Sequence, residues 1–375
     1  EELSAERSNA KRAAKYHADE AAREDVADEE RARHTSLAKV FEARQKAVKV
    51  SANSMYGSLG AAVASGAKYP CLAVSATTTQ QGRWAMVKKK ELVPQRFPGI
   101  DIVYGDTDSI MVVFAGEVTV EQCCAMGVEL ATFLTDDFQK NLSLRTMKIV
   151  FEKCFCPFLL EDKKRYMGLK FECDDTGTPV CKGVDAKGVE TERKDTLPYT
   201  KVVMRDVRDA LMYEKDPEEA VRRFRTRMDA LVDDKIPMHL LTIRKTLTSK
   251  VESKTATIAW AKVNADRRAR EAGSEAVVNE QVEYVICNGP LKAKSTALAQ
   301  DPFYAREQNL KLNRLWYFEH CIEEPIGKMF KHVTGVDYKR IAHDYKMKLH
   351  AERVGVDRTA LQKWLKRPRE SDPSA

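Results

Sequence analysis

Residues 101–114 read Asp-Ile-Val-Tyr-Gly-Asp-Thr-Asp-Ser-Ile-Met-Val-Val-Phe. Two runs of β-branched and apolar residues, 102–104 and 110–114, flank Gly105-Asp106-Thr107-Asp108. The pattern predicts two strands joined by a tight turn, with Gly105 easing the bend. The turn carries two carboxylates one residue apart, between strands apolar enough to sit in a core. Ionised carboxylates are costly there unless something positive meets them. A divalent metal would do so, since hard cations such as magnesium take oxygen ligands. Taken alone, an ordinary Asp/Gly turn is the commoner reason for such a stretch.

The rest of the chain sets the context. At 375 residues it is long enough for two or three subdomains with cores of their own. Its 43% hydrophobic and 32% charged content describes a soluble globular protein. A formal charge of +7 permits a polyanionic partner without demanding one. Nine cysteines include no C-x-x-C pair. Cys123-Cys124 and Cys154-x-Cys156 read as buried thiols in a reducing compartment rather than zinc ligands or disulfides. No apolar run approaches the roughly 18–20 residues of a membrane span and no signal peptide precedes the first helical pattern, so no membrane partner is expected. The chain opens in mid-helical pattern at Glu1-Glu2-Leu3, as a piece of something longer would.

Residues 1 to about 33 are rich in Ala, Glu, Arg and Lys and predict a helix. His34-Thr35-Ser36 offers a break and a cap, and a second helix is expected over about 37–54. Two long helices with a short link form an antiparallel hairpin. Arg7 and Lys11 share one helix face, as do Gln45, Lys49 and Asn53. A solvated polar face is the ordinary reason for either row. Further helices are expected over about 71–92, 119–141, 202–213, 217–233 and 308–332. Strands are expected over 148–156, 157–161, 165–172 and 281–287, with turns at Asp162-Lys163-Lys164 and Asp174-Asp175-Thr176-Gly177. The last 25 or so residues are charged and read as a frayed tail.

Three features now stand in order: Gln45-x3-Lys49-x3-Asn53-Ser-x-Tyr56-Gly57, Tyr104-Gly-Asp-Thr-Asp-Ser109 and Lys163-Lys164-Arg165-Tyr166. Together they resemble the family B DNA polymerases, of the eukaryotic delta type or of large DNA viruses. Phe151-Glu152-Lys153, Lys187-Gly188-x-Glu190, Arg193-Lys194-Asp195, Asp301-Pro302 with Tyr304, and Trp316-Tyr317-Phe318 fall where that family has similar residues. The resemblance implies an α+β fold of right-hand architecture. Residues 1–57 would be a helical-hairpin fingers, 58–197 a partial antiparallel-sheet palm with flanking helices, 198–346 a mostly helical thumb and 347–375 a tail.

The implied reaction adds deoxynucleotides to a primer 3′ end in DNA replication, in the nucleus or a viral replication compartment. Phosphoryl transfer needs positioning and charge neutralisation more than covalent help. Two Mg2+ ions about 3.5–4 Å apart can clamp the attacking and leaving oxygens. By resemblance Asp108 bridges both, and Asp106 helps either as a weaker ligand or from just outside the ligand set. Arg7, Lys11, Lys49 and Asn53 would grip the dNTP triphosphate, where a guanidinium fork suits phosphate oxygens. Tyr56 and Gly57 would lie beneath the nascent base pair. Lys163 and Lys164 would face the minor groove of primer-template DNA, where acceptors are nearly the same for every pair. Arg165, Tyr166, Lys187, Arg193 and Lys194 complete the expected DNA-binding set. The run 222–227, rich in arginine, fits a solvated face at least as well as phosphate contacts.

The family's third aspartate, on a strand followed by Ser-Leu-Tyr-Pro-Ser, has no counterpart here. Neither do the ribonucleotide-excluding tyrosine, the exonuclease or the paired-cysteine zinc modules, the last favouring a viral or archaeal-like arrangement. Little activity is therefore expected of the isolated chain, whether it is a fragment or one half of a split enzyme whose partner chain supplies the aspartate. A non-catalytic DNA-binding or scaffold relative is the rival reading. Arg358-Thr-Ala-Leu361-Gln-Lys-Trp364-Leu365 resembles a sliding-clamp-binding peptide, with Arg358 where glutamine is usual. An amphipathic surface helix explains Leu361, Trp364 and Leu365 equally well.

Overall fold

The computed structural model describes residues 2–61, 66, 69–140, 147–174, 176–247 and 258–355. The fold is α+β, with every strand pairing antiparallel. The chain divides into two compact units, Glu1–Glu152 and Lys153–Ala375. Among the described residues no helix is long and apolar enough to cross a membrane.

The first unit opens on helices α1 (Glu2–Ala22) and α2 (Asp28–Gly60). They form the expected antiparallel hairpin, tied by Arg44 to Glu6 at 2.9 Å and by a stack of His17 on Phe41. The break falls at residues 23–27, not at His34-Thr35-Ser36. Thr35 and Ser36 turn their hydroxyls onto the carbonyls of Arg31 and Ala32, so the helix runs through them. Arg23 instead binds Glu20 and Asp25, and Arg31 reaches back to the carbonyls of Arg23 and Val26. These contacts close the turn.

Helix α3 (Leu72–Arg96) runs two residues past Pro94, which has no N–H to donate to the Lys90 carbonyl, and ends where the Phe97 amide donates to the Val93 carbonyl. Strands β1 (Ile100–Asp106) and β2 (Ser109–Phe114) follow, then α4 (Val120–Lys140). Val93 of α3, Ile100 of β1, and Leu130 and Leu134 of α4 form the core of this unit. Residues 148–153 are not a strand. Thr135 of α4 meets both the N–H and the carbonyl of Ile149 through its hydroxyl, satisfying backbone that would otherwise seek a ladder partner.

The second unit begins with a three-stranded sheet of β3 (Cys154–Asp162), β4 (Arg165–Cys173) and β5 (Pro179–Lys187). Helices α5 (Pro198–Asp209) and α6 (Pro217–Val232) lead to a second small sheet of β6 (Ile243–Thr246), β7 (Gln281–Ile286) and β8 (Ala299–Gln300). Helix α7 (Ala259–Arg270) precedes β7, and α8 (Ser295–Leu298) leads into β8. Helices α9 (Pro302–Glu307), α10 (Arg314–Tyr317), α11 (Glu323–Phe330) and α12 (Tyr338–Val354) end the described chain. The helix expected over 308–332 starts only at Arg314, where the Asn313 side chain caps the amide of Trp316. Strands β5, β6 and β8 carry no strong alternation and are found only in the structure. Tyr199, Phe224, Tyr317, Phe318 and Phe330 are fully buried in the core of this unit.

Candidate active site

In the first unit the two predicted strands pair as expected, from Ile100 opposite Phe114 to Asp106 opposite Ser109. Alternation along β1 carries Asp106 onto the half-buried side with Ile100, Ile102 and Tyr104, while Asp108 sits exposed in the turn. The turn itself is tight: the Asp108 amide donates to the Asp106 carbonyl at 2.7 Å. The residue forced to positive φ is Thr107, at 57°, and not Gly105. Gly105 lies in β1 opposite Ile110, and its lack of a side chain makes room for α3. A Cβ there would stand 2.9 Å from the Met86 methyl.

Three side chains brace this turn. Thr107 donates to the Asp106 carboxylate at 3.1 Å, and Ser109 donates to the Asp106 carbonyl at 3.1 Å. Lys89 of α3 donates its ammonium to the Asp108 carbonyl at 2.6 Å. Lys89 is only 6% exposed. Burial pushes its pKa down, and the nearby Asp108 charge opposes that push. Sequence reasoning missed Lys89, although Ala85, Lys89 and Val93 recur at four-residue spacing and all three are buried.

The hard oxygen donors of Asp106 and Asp108 suit magnesium, which is commonly held by one or two carboxylates plus substrate phosphates. Among the described residues no group of three His, Cys, Asp or Glu comes together as a metal site.

The α1–α2 hairpin brings Arg7 onto Gln45, its Nε donating at 3.4 Å. Gln45 is 8% exposed and also donates to Glu42. Lys11 lies one turn further toward the hairpin tip and helps hold the Glu42 carboxyl low, behind the larger effects of Gln45 and Lys46. Lys49 and Asn53 are exposed on α2 in the opposite direction along the hairpin. Tyr56 is 40% exposed, and Gly57 has nothing within 4 Å of an added Cβ.

In the second unit the β3–β4 turn presents Lys163 and Lys164, both exposed, with Lys164 at φ 59°. A Cβ on Gly188 would stand 2.1 Å from the Lys164 carbonyl oxygen, so only glycine lets β5 pass so close. Arg165 is committed elsewhere, to Glu190 at 2.6 Å and Glu161 at 3.1 Å. Tyr166 packs its ring against Phe155 and Phe158. Lys187 lies opposite Tyr166, exposed at the end of β5. Arg193 pairs with Asp195, which Lys245 also reaches, and Lys194 is exposed. In the basic run of α6, Arg222 and Arg223 bind Glu219, and Arg227 binds Asp206. Leu361, Trp364 and Leu365 lie outside the described residues.

Residues 20–333 match the model of DNA polymerase family B. The chain belongs to DNA polymerase family B. It is 33% identical over 311 residues to the DNA polymerase delta catalytic subunit of Schizosaccharomyces pombe, covering 81% of this chain and 27% of that protein. The delta catalytic subunit of Plasmodium falciparum is 31% identical over 336 residues, covering 88% of this chain and 29% of that one. The chain thus spans about a quarter of the length of the curated relatives it matches. Its fold resembles that of the family B DNA polymerase from the archaeon Pyrobaculum calidifontis, with a TM-score of 0.57 at 24% identity. That match covers 90% of this chain and 38% of the archaeal one.

Proposed function

We propose that this chain is the fingers, palm and thumb portion of a DNA-directed DNA polymerase that adds deoxynucleotides to a primer 3′ end. The observation that carries the reading is the braced Asp106-Thr107-Asp108 turn inside a family B match. Asp106 and Asp108 would hold Mg2+, which when bound neutralises developing charge on the triphosphate and on the attacking 3′ oxygen. Arg7, Lys11, Lys49 and Asn53 bind the triphosphate; the Arg7 Nε donates to the Gln45 side-chain oxygen, and its terminal N–H groups would meet phosphate. Tyr56 and Gly57 form a flat, open surface for the nascent pair. Lys163 and Lys164 contact primer-template DNA, while Arg165 and Tyr166 hold their turn in shape. Lys187, Arg193 and Lys194 add backbone contacts.

Two carboxylates bind a metal weakly, so a third acidic ligand is required, from a partner chain or a segment outside the described residues. The delta-type relatives support a place in nuclear DNA replication, with a viral replication compartment as the alternative. A sliding clamp fits Leu361, Trp364 and Leu365.

Primer extension and binding by this chain test the reading together. Primer-template and Mn2+-dependent dNTP binding are expected to persist, with extension slow or absent, and Asp108→Asn should lose the dNTP binding while keeping DNA. Normal turnover by the chain alone would overturn the need for a third carboxylate. DNA binding with no metal-dependent dNTP binding would favour a non-catalytic relative.

A further inference from the structure

We propose that Lys89 is a positioning residue for the metal-binding turn, holding the Asp108 carbonyl so that the Asp106 and Asp108 carboxylates are presented to a divalent cation. This rests on the polymerase reading above. The turn is built in an unfavourable conformation, since Thr107 is β-branched and sits at φ 57°. The Thr107 and Ser109 hydroxyls brace it from within the hairpin, whereas Lys89 anchors it from α3. The neighbouring lysines do nothing comparable: Lys88 pairs with Glu91 at 2.7 Å and Lys90 is exposed. A buried ammonium is tolerated only where strong acceptors meet it. Met86, one turn earlier on α3, packs close to Gly105, so the same helix flanks both sides of the Asp106 position.

Charge and position make opposite demands here. A cation beside a carboxylate weakens metal binding, so removing a bystander ammonium would tighten it. Removing an anchor would loosen the turn and weaken binding instead. In this chain, Mn2+ affinity is measured by electron paramagnetic resonance for the unsubstituted protein, Lys89→Met and Asp108→Asn. Hydrogen exchange of residues 100–114 is followed in parallel. Lys89→Met is expected to weaken the Asp108-dependent Mn2+ affinity tenfold or more and to speed exchange at the turn, with α4 unchanged. Tighter Mn2+ binding, or unaltered exchange at the turn, would overturn the proposal. Absence of Asp108-dependent binding in the unsubstituted chain would instead sink the metal-site reading, while exchange still decides whether Lys89 anchors the turn. Nitrogen-15 lysine spectra of the unsubstituted chain need no folded variant. A protected Lys89 ammonium signal that shifts with Mg2+ is expected, and a solvent-averaged signal unmoved by Mg2+ counts against the anchor.

Discussion

Glu161 places one carboxylate oxygen on Arg165, and its other oxygen is buried with no hydrogen-bond partner. Its side chain is 2% exposed. Burial pushes its pKa above the ordinary 4.5, the Arg165 hydrogen bond opposes this, and the Glu190 charge adds to it. A raised carboxyl pKa favours the folded state below the unfolded value of about 4.5, and that advantage is lost as pH rises through the folded value. Glu161→Gln removes the titration while Glu190 still holds Arg165. The stability of the variant minus that of the unsubstituted chain should therefore rise as pH climbs from 4.5 through the raised folded value. At neutral pH the variant should lose less than about 1 kcal/mol, or gain. Urea unfolding across that range measures it, and a flat or falling difference would count against the buried, unpaired oxygen.

At the scale of elements, α2 shows how a local signal is overruled. Ser36 reads as a helix cap in the sequence, and capping serines lose about 1 kcal/mol on replacement by alanine. In the folded chain Ser36 lies inside the helix with its hydroxyl bonded back to the Ala32 carbonyl. Ser36→Ala is thus expected to leave the melting temperature unchanged or slightly higher, by circular dichroism, whereas a clear drop would restore the cap. Helix α3 shows the reverse. Three consecutive lysines look like one solvated patch, but a helix turns about 100° per residue, so only Lys89 falls on the buried stripe with Ala85 and Val93. The β1–β2 hairpin was legible because two short runs of β-branched and apolar residues flank Gly-Asp-Thr-Asp, a composition that favours a turn. The strands β5, β6 and β8 were not, since β5 is broken by Pro179 and Gly183 and the others are four and two residues long.

Over the whole molecule the formal charge of +7 says little about where a polyanion would sit. Arg165, Arg222, Arg223 and Arg227 are taken by carboxylates, while Lys163 and Lys164 stand exposed on the β3–β4 turn. Each lysine that displaces a counterion when it meets DNA, in a groove or at a phosphate, should contribute up to about 0.9 to the slope of log affinity against log salt. Replacing Lys163 and Lys164 with alanine should weaken primer-template binding and shallow that slope by about 1–2, measured by fluorescence anisotropy. Arg222→Ala should leave the slope unchanged, and an equal change for both would remove the distinction. By itself the amino-acid sequence determined the helical hairpin and the two-carboxylate turn, because these rest on periodicity and on residue types at short spacing, and it carried the family through the likeness of its motifs to known members. Tertiary structure decided which arginines are spent on carboxylates. It also decided that Thr107 rather than Gly105 takes the strained conformation, and that Lys89 anchors Asp108. Those outcomes depend on which side chains meet across elements, and nothing in local sequence encodes that distance.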